Sequence, residues 1–351
     1  MVVIFHSLFT GYGIAFPAGT GHLGGVMEVL HRAWVGVPLF FVISGYCVTA
    51  SGDAARRRPN PGLNFFRRRF RRIYPPYWIW LAITAAGVWC AESIDPGFFS
   101  RIFIPNPRDF TKWQWMGNLS LTETWRWHLT RGMESELILP SWTLCYEEQF
   151  YALTGMALVF ARRFFFGALA LITAGVIAGL FLFPISTLGL FLDGQWLMFG
   201  AGILVYYTLN YLPARAAAWV CAPLGLGVLC TLTNPGHLLE NGVNEPNQSY
   251  FCAFCFALIL IGLRRWDANL ARTRAIRPLT YCGEMCYSMY LIHWPTVTVV
   301  AWGFDRLGLR NPYVILPLGV LCCLIAVIVL ARGFHRLVER RYWNPNYSTG
   351  G

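Results

Sequence analysis

Charge is scarce in this chain. Asp, Glu, Lys and Arg make up 13% of its 351 residues, about half the share of an ordinary soluble domain. Hydrophobic residues make up 56%, more than a soluble globule can bury beneath a polar skin, and the same numbers exclude a disordered chain. No internal repeat and no low-complexity tail interrupts the sequence, so residues 1–351 read as one domain with no appended soluble domain. The apolar start, 1–17, lacks the basic residues that open a cleavable signal peptide. His, Cys and acidic residues show no metal-ligand spacing, and Gly19, Gly21, Gly24 and Gly25 form no Walker pattern. Most of the 11 Cys lie in apolar runs. Cys252 and Cys255 have CxxC spacing, but their Phe-rich surroundings mark them as core thiols rather than a disulfide or redox pair. Neither a metal nor a permanently bound cofactor is called for.

Long apolar runs are present instead. A bilayer crossing needs about 20 mostly apolar residues. Such segments fall at 1–17, 33–50, 73–91, 141–161, 164–183, 188–209, 216–233, 249–263, 281–303 and 313–331. The expected fold class is therefore all-α: a polytopic membrane bundle of about ten transmembrane helices. One linker is long, 92–140, and its Trp113, Trp115, Trp125 and Trp127 suit a segment lying at the membrane interface. The formal net charge of +11 serves as a topology signal. Of the 28 basic residues, twenty fall in one set of alternate loops, including Arg56–Arg58, Arg67–Arg72 and Arg332–Arg341, and eight in the other. The richer set is expected inside, which makes both termini cytoplasmic. Orientation accounts for the charge, so no nucleic acid is needed as a partner.

Ionisable groups at membrane depth are costly and become functional candidates. His6 lies about ten residues from the outer end of the first span, roughly 15 Å at the helical rise and so near the midplane. Glu147 and Glu148 sit on the fourth span. They point about 100° apart, so at most one faces a given site. His293 lies near the middle of the ninth span; followed by Trp294 and Pro295, it reads as a structural hydrogen-bonder beside a helix break. Phe65–Trp78, FFRRRFRRIYPPYW, is either a positive-inside cluster or a phosphate clamp, since guanidinium binds phosphate through two parallel hydrogen bonds. Asn118-Leu-Ser120 and Asn247-Gln-Ser249 match a glycosylation acceptor only at chance level.

Five blocks in order resemble the acyltransferase-three family of integral-membrane O-acyltransferases, the type that O-acetylates bacterial surface glycans. They are His6 on the first helix; Gly36–Tyr46, GVPLFFVISGY; Arg68–Trp78, with Arg69 and Arg72 in Arg-x-x-Arg positions; Trp142–Tyr151, WTLCYEEQFY; and Tyr287–Pro295, YSMYLIHWP. Pro38 replaces a frequent Asp. Thr143 and Cys145 stand where Ser is usual. The family's Arg, separated from the His by ten residues, would fall upstream of Met1, so the first helix reads as clipped. The resemblance implies acyl transfer from acyl-CoA, with acetyl-CoA as the expected donor, to a hydroxyl of a glycan or glycolipid acceptor. It implies His6 as general base, Glu147 or Glu148 as its orienter or acceptor clamp, and Arg69 and Arg72 as donor-binding residues. The expected setting is the bilayer, as an integral protein of a bacterial inner membrane. A transporter or flippase of lipid-linked sugars, and a catalytically inactive relative, are the competing readings.

Overall fold

In the computed structural model, residues 1–9, 22–95, 104–130, 132–182, 191, 194–233, 247–309 and 311–342 are described. The outer part of the first expected span, 10–17, most of the loop at 234–248, and Gly19 and Gly21 lie outside them. All regular structure among the described residues is helical. The helices are α1 Val2–Phe9, α2 His22–His31, α3 Gly36–Arg56, α4 Pro61–Ile94, α5 Lys112–Ser120, α6 Glu123–Thr130, α7 Trp142–Phe160 and α8 Phe165–Leu182. They continue as α9 Gln195–Tyr211, α10 Ala214–Thr233, α11 Asn247–Gly262, α12 Asp267–Arg272, α13 Arg277–Glu284, α14 Cys286–Arg306, α15 Pro312–Phe334 and α16 Arg340–Tyr342. The described part of each apolar run singled out in the sequence is mostly helical. Among the described residues six helical stretches are long and apolar enough to cross a membrane: Val29–Arg56, Pro61–Ile94, Arg162–Leu180, Arg215–Thr233, Gln248–Arg265 and Val314–Tyr342.

Helix α4 has 34 residues, about 51 Å at the helical rise, against a hydrocarbon core of about 30 Å. Its surplus is the Arg-rich start, where Arg67, Arg71 and Arg72 are exposed. Helix α14 corrects the break expected at Pro295: it runs unbroken from Cys286 to Arg306. Thr296 and Thr298 bond back to the carbonyls of Ile292 and Trp294, the kind of local hydroxyl support that lets a membrane helix carry a proline.

The chain folds into two compact units, each assembled from separated stretches. The first comprises Met1–Trp34, Phe70–Thr143 and Arg277–Gly351; the second comprises Val35–Arg69 and Leu144–Ile276. In the first unit α1 packs on α14 and α15. Val297, Cys323 and Val327 form a buried cluster that Val3 covers, and Leu8 meets Leu316. The 92–140 linker is more structured than an interfacial loop. Thr111 and Gln114 form a reciprocal capping box at the start of α5, which satisfies two of the donors that every helix start leaves open. The far end of α5 is held by α4, whose Tyr77 hydroxyl and Trp78 indole donate to the carbonyls of Asn118 and Leu119 at 2.9 and 2.8 Å. Asn118 itself is buried. Its amide donates to the Gln114 and Ser135 carbonyls, and its oxygen accepts from the Leu137 N–H, so this match to a glycosylation acceptor is a structural asparagine.

In the second unit α3 and α9 cross at two glycines. A Cβ on Gly45 would lie 2.2 Å from the Phe199 carbonyl oxygen, and one on Gly202 would lie 2.1 Å from that of Val42. Small residues allow the close backbone approach that drives helix association in lipid. At one end of this crossing the buried Asp53 accepts from Arg56, Arg57, Tyr206 and Tyr211.

Candidate active site

Two residue groups carry the predicted chemistry, one in each unit. In the first unit, Val3 and His6 lie three apart on α1 and His293 and Val297 four apart on α14, so each pair shares a helix face. With Val3 packed against the Val297 cluster, the two imidazoles come together at 5.2 Å between ring centres, tilted by 38°. The Trp294 ring meets His6 edge-on at 5.0 Å, and Phe5 does so at 5.4 Å. His6 is half-buried; His293 is fully buried. The His293 Nδ1 lies 2.6 Å from the Tyr290 carbonyl oxygen. Tyr290 in turn reaches the start of α7, donating to the Pro140 carbonyl and lying 3.0 Å from the Thr143 hydroxyl. His293, which the sequence favoured as a merely structural residue, is thus part of the group that surrounds His6.

In the second unit, Glu147 of α7 is buried and accepts from the Ser44 hydroxyl of α3. The Tyr151 hydroxyl, one turn further along α7, hydrogen-bonds Glu147. The same tyrosine ring lies beneath Arg69 of α4, whose guanidinium sits 5.0 Å from the ring centre and 5.8 Å from that of Phe65. Arg69 also reaches the Cys47 carbonyl at 3.4 Å. Ser44, Glu147, Tyr151 and Arg69 therefore form one continuous chain of contacts. Glu148 is half-buried, and of the two acids Glu147 is the one in this chain. The two candidate donor-binding arginines differ: Arg69 is half-buried on its aromatic bed, whereas Arg72, one turn along, is exposed. Ser44 and Tyr151 were not singled out from sequence, although both stand inside the quoted blocks. The signal was available, since Tyr151 follows Glu147 by four residues, the spacing of neighbours on one helix face.

No group of three or more His, Cys, Asp or Glu with metal-holding geometry occurs among the described residues. The described stretches 104–130 and 132–142 carry a different acidic cluster. Glu123 and Arg126 pair through a two-point fork at 2.7 and 2.8 Å. Burial, Glu134 and Glu123 together push the Glu136 carboxyl up to about 7.

The chain is a helical membrane protein in which the half-buried His6 meets the buried His293, and in which Glu147 connects through Tyr151 to Arg69. The family model of the acyltransferase domain matches residues 1–332, and the chain belongs to that family. It is 25% identical over 293 residues to the exopolysaccharide production protein ExoZ of Rhizobium meliloti, an alignment taking in 79% of this chain and 80% of ExoZ. It is 23% identical over 307 residues to the O-acetyltransferase OatA of Staphylococcus aureus, taking in 77% of this chain and 47% of OatA. The chain thus spans about half the length of OatA. No solved structure matches it. With six apolar helices of membrane-crossing length among the described residues, the protein is an integral membrane member of the family.

Proposed function

We propose that the protein is an O-acyltransferase that moves an acyl group, in the first instance acetyl, from acyl-CoA to a hydroxyl of a polysaccharide or glycolipid. The observation that carries this reading is the His6 ring set against His293 and Trp294 in a chain of the acyltransferase family. The name of ExoZ, exopolysaccharide production, supports a polysaccharide acceptor, and that of OatA supports O-acetyl transfer. Family membership favours transfer over the flippase reading.

In this mechanism His6 takes the proton of the acceptor hydroxyl as its oxygen attacks the thioester carbonyl. The C–S bond breaks, and the proton passes to the departing thiolate, giving the ester and free CoA-SH. An imidazole suits this role because its ordinary pKa, about 6.5, lies near neutral pH. The phosphates of CoA need cationic forks, and Arg69 and Arg72 supply them. Arg69 is held by Tyr151 and Phe65 and offers a positioned guanidinium; Arg72 is exposed. Glu147, anchored by Ser44 and Tyr151, orients the reacting groups, with Glu148 as its neighbour. The proposal includes the ten-helix count, cytoplasmic termini, entry of acyl-CoA from the cytoplasm, and residence in a bacterial inner membrane.

The test is transfer from labelled acetyl-CoA by membranes carrying the protein, paired with donor binding. His6→Ala is expected to lower the rate by about 10²–10⁴-fold with donor binding retained. Full activity of His6→Ala would remove the mechanism. Alkaline phosphatase fused at the C-terminus is expected to be inactive and fused in the 234–248 loop active; the reverse would overturn the orientation.

A further inference from the structure

We propose that His293 is the positioning residue of His6: its Nε2 accepts a hydrogen bond from the His6 ring and thereby sets which His6 nitrogen is the base. The proposal deepens the acyl-transfer reading and rests on it. A carbonyl oxygen only accepts, so the 2.6 Å contact with the Tyr290 carbonyl places the proton of His293 on Nδ1. In the neutral ring Nε2 then carries a lone pair and can only accept. That atom is fully buried and has no hydrogen-bond partner among the described residues. Such a group costs free energy unless something fills it. Its ring is 1% exposed. Of the polar rings beside it, Tyr290 at 6.1 Å already donates to the Pro140 carbonyl, and His6 lies nearer, 5.2 Å away between centres. An in-line N–H···N hydrogen bond of ordinary length puts two imidazole centres about 5 Å apart. The observed spacing of the two rings is that of such a bond.

The consequence is chemical. With one His6 nitrogen donating to His293, the other carries the lone pair that takes the acceptor's proton. When His6 takes that proton, the resulting imidazolium still has an acceptor at His293. A base oriented by a third group is the general logic of nucleophile activation; here a second imidazole supplies the orienting acceptor in place of a carboxylate. His293 exchanges no proton with substrate in this scheme.

A purely structural His293 would matter through its Nδ1–H contact alone, and two substitutions separate the roles in opposite directions. The amide of His293→Asn reproduces the Nδ1–H donor to Tyr290 but places nothing at Nε2. His293→Gln gives up that donor and puts an acceptor oxygen near Nε2. The proposal expects His293→Asn to lose about 10–100-fold in kcat, the loss of one hydrogen bond to a group that becomes charged, with KM for acetyl-CoA unchanged. His293→Gln is expected to recover most of that loss. Asn at the wild-type rate with Gln slow would overturn the proposal and leave His293 as a helix anchor. If both are slow, nitrogen NMR of histidine-labelled protein in nanodiscs decides. A hydrogen-bonded Nε2 on His293 that becomes unbonded in His6→Phe supports the pair; an Nε2–H tautomer, or an Nε2 signal indifferent to His6→Phe, overturns it. The NMR arm does not need turnover. If wild-type membranes transfer no acetyl group, the acyl-transfer reading falls by that measurement while the histidine pair is still tested by this one.

Discussion

Tyr151 joins the acid to the base in the second unit, and its two ends can be removed separately. Its hydroxyl bonds Glu147 and its ring lies 5.0 Å below the Arg69 guanidinium. Tyr151→Phe deletes only the hydroxyl. Ser44 still donates to Glu147, so the acid keeps one partner, and the loss is that of one buried hydrogen bond, about 0.5–1.5 kcal/mol. Tyr151→Leu removes the ring as well. A partly desolvated cation–π contact contributes about 1–2 kcal/mol, and Phe65, at 5.8 Å, keeps part of it. If Arg69 holds the donor phosphates, freeing it from its bed weakens acetyl-CoA binding by about 3–10-fold, the equivalent of roughly 0.7–1.4 kcal/mol. The assay is kcat and KM for acetyl-CoA in membranes, with unfolding in nanodiscs as a control. Phe is expected to lower kcat with KM near wild type, and Leu to raise KM in addition. An unchanged KM in Tyr151→Leu, with the protein folded, would refute the assignment of Arg69 as a donor-binding residue positioned by Tyr151.

Three further outcomes concern stability and pH. Asp53→Ala strands the buried Tyr206 hydroxyl and takes from Arg56 its carboxylate partner, leaving it the Tyr211 hydroxyl, and is expected to cost about 3–5 kcal/mol, whereas Arg57→Ala, whose side chain is 65% exposed, is expected to cost at most about 1 kcal/mol; equal losses in thermal unfolding would contradict the Asp53 hub. Gly45→Ala forces a Cβ to within 2.2 Å of the Phe199 carbonyl oxygen and is expected to cost about 1–3 kcal/mol or more, while Gly87→Ala on α4 meets nothing within 4 Å and is expected to be neutral or stabilising by up to about 1 kcal/mol. For Glu136 the native carboxyl, at about 7 against an ordinary 4.5, holds its proton where the unfolded one has lost it, so the stability of the α5–α6 region is full below about 4.5 and falls as pH rises through 7. The fall is worth up to roughly 3 kcal/mol; hydrogen exchange should show it, and Glu136→Gln should flatten it.

The helices were legible because apolar length is a strong signal: runs such as 313–331 announce a buried or lipid-facing helix whatever its neighbours. The structure in 92–140 was less legible. Trp113 and Trp115 spoke of an interface, while the capping box at Thr111 and Gln114 is a two-residue signal easily lost among polar neighbours. The sequence also assigned the aromatics of IYPPYW no partner. Their hydroxyl and indole donors serve the open carbonyls at the end of α5, a pairing across some forty residues that no local pattern encodes. Asp53 was hidden for a similar reason: beside three arginines it passes for part of a charged loop, and only the fold places Tyr206 and Tyr211 above it.

The treatment of the two histidines shows what periodicity can and cannot deliver. Composition alone marks an imidazole at membrane depth as costly, and it marked His6 and His293 alike. It could not say whether His293 belonged to a helix break or to the chemistry, because Pro295 made the break plausible and nothing local tied residue 293 to residue 6. The tie comes from tertiary packing. Val3 seats against the Val297 cluster, and the helical repeat then carries His6 toward His293 one turn away. A change that moves this apolar contact should act on both imidazoles without touching either. Val297→Ala leaves a cavity beneath Val3 and is expected to cost about 1–3 kcal/mol by analogy with other buried truncations. If the register argument holds, it should also slow acyl transfer more than an equally destabilising truncation remote from α1, such as Leu224→Ala on α10. Equal residual rates at matched stability would mean that the histidine pair owes its geometry to something other than the Val3–Val297 contact.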